Sequence, residues 1–69
     1  MINNKRKLGN KIREIRNKKE LTQEDLAYYA DLDYSYVNQI ENGRRNPSID
    51  AIEKIAKALG VKTKDLIPY

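Results

Sequence analysis

From Leu8 to Ile67 the large apolar residues recur three or four positions apart in short stretches, and nowhere alternate with a period of two. That spacing admits packed helices and gives no strand from which to build a sheet. Leu8, Ile12 and Ile15 share one face of a first helix over about residues 5–19, in which Gly9 is a weak helix former within the opening turns. Thr22 is placed to cap a second helix carrying Leu26, Ala27 and Ala30, with Glu24 and Asp25 suiting its positive end. Asp31 tolerates the left-handed conformation a tight turn requires, and Leu32 returns inward. Asp33 is expected to cap a third helix that buries Val37 and Ile40 and stops at Asn42-Gly43. After a basic loop, Ser48 caps a fourth helix with Ile49, Ile52, Ile55, Ala56 and Leu59. Gly60 stops that helix, and Thr63 caps a last turn carrying Leu66 and Ile67.

A chain of 69 residues allows one domain, 1–69, with a modest core. Leu8, Ile12, Ile15, Leu21, Leu26, Ala27, Ala30, Leu32, Val37, Ile40, Ile52, Ile55, Leu59, Val61 and Leu66 are expected to form it. The chain has neither cysteine nor histidine. A disulfide framework and zinc sites of thiolate or imidazole are therefore excluded, and the commonest general base of enzymes is missing. No metal or other cofactor is expected. The apolar runs are far too short to span a membrane, and the basic N-terminus is followed by no apolar stretch of the secretory kind. The expected location is the cytoplasm, on the nucleoid.

Charge is segregated along the chain. Residues 1–19 carry a net +7, residues 20–41 a net −6 and residues 42–69 a net +3. A basic excess suits a polyanionic partner, although a solvated charged surface has the same composition.

The segment that carries function is TQEDLAYYADLDYSYVNQIENG, about residues 22–43. Two short helices lie three residues apart. Ala27 leaves room for a crossing helix, and the face of the second helix opposite Val37 and Ile40 carries Tyr34, Ser35, Asn38 and Gln39. This is the spacing of a helix-turn-helix, in which one helix braces and the other projects polar side chains into a major groove.

The sequence resembles the Cro/cI-type (XRE) helix-turn-helix family of regulators over roughly residues 8–67. The matching pieces are LGNKIREIR, LTQEDLA, YVNQIENGRRNPS and IEKIAKALGV, in the family's order. SYVNQIENGRRN preceded by DLD is most similar to restriction-modification controller proteins. The resemblance implies an all-α, compact five-helix lambda-repressor-like domain and a sequence-specific transcriptional regulator that binds a palindromic operator in double-stranded DNA as a homodimer. It implies that Tyr34, Ser35, Asn38 and Gln39 face base edges, that Gln23, Asn42, Arg44 and Arg45 hold phosphates, and that Arg16 and Glu41 form a structural ion pair. Tyr36, like Tyr28 and Tyr29, suits either half-buried packing or a phosphate contact. Leu66, Ile67 and Tyr69 are expected at a homodimer contact, with core closure as the alternative. Asn and Gln present a donor beside an acceptor, which matches adenine; Arg neutralises phosphate without regard to sequence.

One departure stands out: the third helix has no Arg or Lys, and controller-like relatives often carry arginine where Tyr34 stands. Base reading then rests on Tyr34, Ser35, Asn38 and Gln39, or partly on DNA shape. An antitoxin or other protein-interaction module is the alternative function. An enzyme acting on a small-molecule substrate is disfavoured, because Ser35 and Ser48 have no histidine to activate them. Membrane-surface binding is disfavoured because the three large apolar residues of the first helix are needed inside.

Overall fold

A computed structural model describes residues 4–68 of the chain. In chain order the helices are α1 (Asn4–Lys18), α2 (Gln23–Ala30), α3 (Tyr34–Glu41), α4 (Ile49–Leu59) and α5 (Thr63–Leu66). Among the described residues there is no strand. Helix α1 packs on α3, α2 sits between α3 and α4, and α5 closes against α4 and α1. Leu8, Ile12, Leu26, Val37, Ile40, Ile55, Leu59 and Leu66 fill the centre, with Ile15, Leu21, Leu32, Ile52 and Val61 half-buried around them.

The first four helices stop in the same way. Glu20, Asp31, Gly43 and Gly60 each adopt a left-handed conformation one residue or two beyond the helix. The next amide then reaches back five residues, from Leu21 to Arg16, Leu32 to Ala27, Arg44 to Gln39 and Val61 to Ala56. This bonding satisfies carbonyls that a helix end leaves bare, and it is normally accompanied by an apolar residue after the left-handed one. Leu21, Leu32 and Val61 follow that rule and pack on the core. The exception is Arg44, which is exposed.

Helix α2 begins with a reciprocal cap. The Thr22 hydroxyl accepts from the Asp25 amide at 2.9 Å, and the Asp25 carboxylate accepts from the Thr22 amide at 2.9 Å. Thr22→Ala is expected to cost about 1 kcal/mol, read as a fall of roughly 4–8 °C in Tm. Ser48 caps α4 through the Ala51 amide at 3.1 Å.

Three expectations are corrected. Asp33 stands at the backbone cap position of α3, but its side chain makes no capping bond. Lys62, not Thr63, precedes α5, and the turn is secured by the Asp65 carboxylate accepting from the Lys62 amide at 3.1 Å. Ile49, which is not among the expected core residues, is 77% exposed. It lies six residues before Ile55 and so about 120° around the helix from it, whereas Ala51, four before, is about 40° away and buried. Leu66 is fully buried in its own protomer. It closes the core, and a side chain already surrounded has no surface for a second copy. Ile67 is half-buried, and Tyr69 lies outside the described residues.

Candidate nucleic-acid interface

Helix α3 has two faces. Val37, Ile40 and Glu41, at three- and four-residue spacing, point inward and are buried. Tyr34, about half exposed, and Ser35 point outward, with Gln39 beside them. The Gln39 amide donates to the Ser35 hydroxyl at 3.3 Å. The loop after α3 folds back onto this face. Arg45 donates to the Gln39 amide oxygen at 3.3 Å, and its guanidinium lies 5.1 Å from the centre of the Tyr36 ring. The Tyr36 hydroxyl accepts from the Ser48 amide at 3.2 Å, pinning the far end of the loop. Tyr28, Asp33, Ser35, Tyr36, Gln39 and Arg45 line one shallow depression.

Glu41 anchors α3 from below. Its carboxylate receives the Arg16 guanidinium in two parallel bonds of 2.7 and 2.9 Å, the geometry in which an arginine–carboxylate pair is strongest. A further Arg16 nitrogen donates to the Leu21 carbonyl at 2.7 Å, which ties the α1–α2 turn to the same pair. The hydrogen bond to Glu41 and the attraction of its charge raise the Arg16 pKa above its ordinary value, outweighing burial. The Gln23 amide donates to Glu41 at 3.1 Å, and Arg13 approaches the same oxygen at 3.4 Å. Among the described residues no buried side-chain nitrogen or oxygen is left without a partner.

A braced α2, an outward polar face on α3 and an arginine-bearing loop behind it form one unit. The family model described as helix-turn-helix matches residues 12–66. The chain belongs to the helix-turn-helix family. It is 52% identical to the control protein C.BamHI of Bacillus amyloliquefaciens, over the whole of this chain and 88% of that protein. The crystal structure of the restriction-modification controller protein C.AhdI from Aeromonas hydrophila superposes with a TM-score of 0.89 at 44% identity. It covers 90% of this chain and 94% of that one. The controller protein C.Esp1396I, crystallised as a tetramer with its natural 35 base-pair operator, gives a TM-score of 0.83 at 40% identity, covering 90% and 82%.

Within the helix-turn-helix, the residues singled out from the sequence divide into three groups. Tyr34, Ser35 and Gln39 share the open face of α3. Asn38 is half-buried at its edge, donating to the Gln23 amide oxygen at 2.9 Å and accepting from Asn42 at 3.2 Å. Gln23, assigned to a phosphate, thus has both ends of its amide engaged by Asn38 and Glu41 in this structure. Asn42 and Arg44 are exposed after α3, and Arg45 lies against Gln39 rather than apart from the base-facing group. Arg13 escaped the sequence reading. It donates to the Asn42 amide oxygen at 2.9 Å and to the Glu41 carbonyl at 3.1 Å. Its position three residues before Arg16 on α1, hence on the same side of that helix, was the available signal. Among the described residues no helix is long and apolar enough to cross a membrane.

Proposed function

We propose that two copies of this regulator bind a two-fold symmetric operator, each laying the outward face of α3 in a major groove. The observation that carries the reading is the division of α3: Val37, Ile40 and Glu41 are held in the core while Tyr34, Ser35 and Gln39 stand clear of it. Tyr34, Ser35, Asn38 and Gln39 read base edges in this proposal. Asn42 and Arg44 hold phosphates on the flank, and Tyr36 supports the loop that carries them. Arg45, stationed against Gln39, brings a cation to a helix that has none of its own. Gln23 serves the backbone through amides of the first turn of α2, its side chain being occupied within the protein. The operator complex of C.Esp1396I supports DNA as the partner. Ile67 keeps accessible surface and stays in the proposal as a pairing residue; Leu66 leaves it. The regulator works in the cytoplasm, on the nucleoid, and catalyses no reaction of its own.

Selection from a random duplex pool over a salt series tests this. A two-fold symmetric consensus with half-sites about one DNA turn apart, ~34 Å, is expected. Binding without preference at every ionic strength would sink the reading. Gln39→Ala is expected to relax preference at one base pair of each half-site, costing about 1–3 kcal/mol there. Arg44→Ala is expected to weaken all duplexes alike and to lower the salt slope by about 1. Interchanged results would reassign the two residues.

A further inference from the structure

We infer that Arg13, which touches neither base nor phosphate in the proposed complex, sets which way round the Asn38 and Asn42 amides face the DNA. The inference rests on the DNA-reading role proposed above and adds a positioning residue to it. Five side chains close a ring. Arg13 donates to Asn42 at 2.9 Å, Asn42 to Asn38 at 3.2 Å, Asn38 to Gln23 at 2.9 Å and Gln23 to Glu41 at 3.1 Å. Arg13 and Glu41 then meet directly at 3.4 Å.

The ends of this chain differ in kind. A guanidinium can only donate, and the carboxylate of Glu41, ion-paired with Arg16, can only accept. The three amides between them have one of each group, and a free amide turns over at little cost. Held between a pure donor and a pure acceptor, each must direct its oxygen towards Arg13 and its nitrogen towards Glu41. Turning Asn38 over would set oxygen against oxygen at Gln23 and nitrogen against nitrogen at Asn42, losing two hydrogen bonds at once. The direction of the ring is therefore imposed from its two charged ends.

The consequence reaches the DNA through what is left over. After its ring bonds, Asn38 retains one N–H and one oxygen lone pair. Adenine is recognised by a donor and an acceptor in a fixed order, and a reversed amide offers the opposite order. Glu41 holds the acceptor end from α3 itself, so that end moves with the recognition helix. Arg13 holds the donor end from α1, a helix with no base-reading residue in the proposal. Without Arg13, Asn42 loses its orientation first, and Asn38 then keeps a single directing partner in Gln23.

The experiment uses the whole chain as wild type, Arg13→Met, Arg13→Lys and Asn38→Ala. Methionine keeps the length of the stem and removes the donor; lysine keeps a donor. Duplexes selected from a random pool report base preference, and a salt series reports phosphate contacts. Side-chain amide proton signals of Gln23, Asn38 and Asn42 in the free protein report the ring without DNA. Arg13→Met is expected to lose about tenfold in preference at the base pairs that Asn38→Ala also relaxes. Its Asn38 and Asn42 amide protons are expected to exchange faster with water, and its salt slope to stay within less than one phosphate of wild type. Arg13→Lys is expected to keep the preference within about twofold. Unchanged preference with a salt slope lowered by about 1 would make Arg13 a phosphate contact and overturn the inference; unchanged amide signals in Arg13→Met would overturn it too. If the wild type itself shows no preference among duplexes, the proposed function fails, and the amide signals still decide whether Arg13 orders the ring.

Discussion

Arg16→Met is expected to remove about 3–5 kcal/mol of stability, most of what a domain of this size possesses. The Glu41 side chain is wholly buried, and Arg16 supplies its two shortest bonds. Methionine fills much of the same space and restores neither. The carboxylate is then stranded with Gln23 at 3.1 Å and Arg13 at 3.4 Å, too little to replace a two-pronged partner at 2.7 and 2.9 Å. The Leu21 carbonyl loses its partner as well, which loosens the turn between α1 and α2. Thermal unfolding followed by circular dichroism should show a fall of more than ~12 °C. The double variant Arg16→Met with Glu41→Leu should recover most of the loss, because the dominant cost is an unpaired buried charge rather than a missing attraction. The difference between variant and wild type should not change through neutral pH on account of Arg16. A base whose pKa is raised on folding contributes fully below its unfolded value and fades only as pH climbs through the folded one, and both lie far into alkali. A loss below ~1 kcal/mol would mean that Arg13, Gln23 or entering water suffices for the carboxylate.

What was legible in the sequence was mainly what rests on helical periodicity and on local capping chemistry. Leu8 with Ile12, Val37 with Ile40, and Ile55 with Leu59 are each three or four residues apart, and all are buried. The Thr22 and Ser48 hydroxyls accept from amides three positions ahead, so their capping roles depend on nothing distant. Asp31 and Gly43 could be placed in left-handed turns from their residue type alone. Glu20 could not, since nothing about glutamate favours that conformation; the contact of Leu21 with the core selects it. Ala51 is absent from the expected core because it is small, yet it holds the inward site on α4 that Ile49 does not reach.

The candidate interface was legible as a set of residues but not as a set of bonds. Tyr34, Ser35 and Gln39 are outward because Val37 and Ile40 must be inward, which is a statement about one helix. Whether Asn38 and Gln23 are free or engaged depends on α1, α2 and α3 meeting at Glu41, a long-range fact with no local signature. The same holds for Arg45, whose return over Tyr36 depends on how the loop is pinned at Ser48. Arg44 is the informative exception among the helix stops. It takes the position that Leu21, Leu32 and Val61 use for packing, and it forgoes that packing to expose a cation beside α3.

Gly9→Ala sets local preference directly against tertiary contact. Alanine is the better helix former by about 1 kcal/mol, so from α1 considered alone the substitution stabilises. The structure reverses that sign. Gly9 is buried where α1 crosses the end of α3, and a Cβ there would collide with the Ile40 carbonyl and come within 2.8 Å of the Glu41 carbonyl oxygen. Both obstacles are backbone of α3, which no rotamer change can move aside, so the helices themselves must separate. Overpacking of this kind costs about 1–3 kcal/mol even where side chains can give way, and here they cannot. A net loss of about 2 kcal/mol or more is expected in urea denaturation, as a lower midpoint at unchanged slope. The Arg13 bond to the Glu41 carbonyl lies at the same crossing, so the movement that relieves the collision also disturbs the ring beneath Asn38. Asn10→Ala, at the exposed neighbouring position, is the control, and it should stabilise by about half a kcal/mol on helix propensity alone. If Gly9→Ala and Asn10→Ala both stabilise, the close approach of α1 to α3 is wrong, and with it the support for the recognition helix from below.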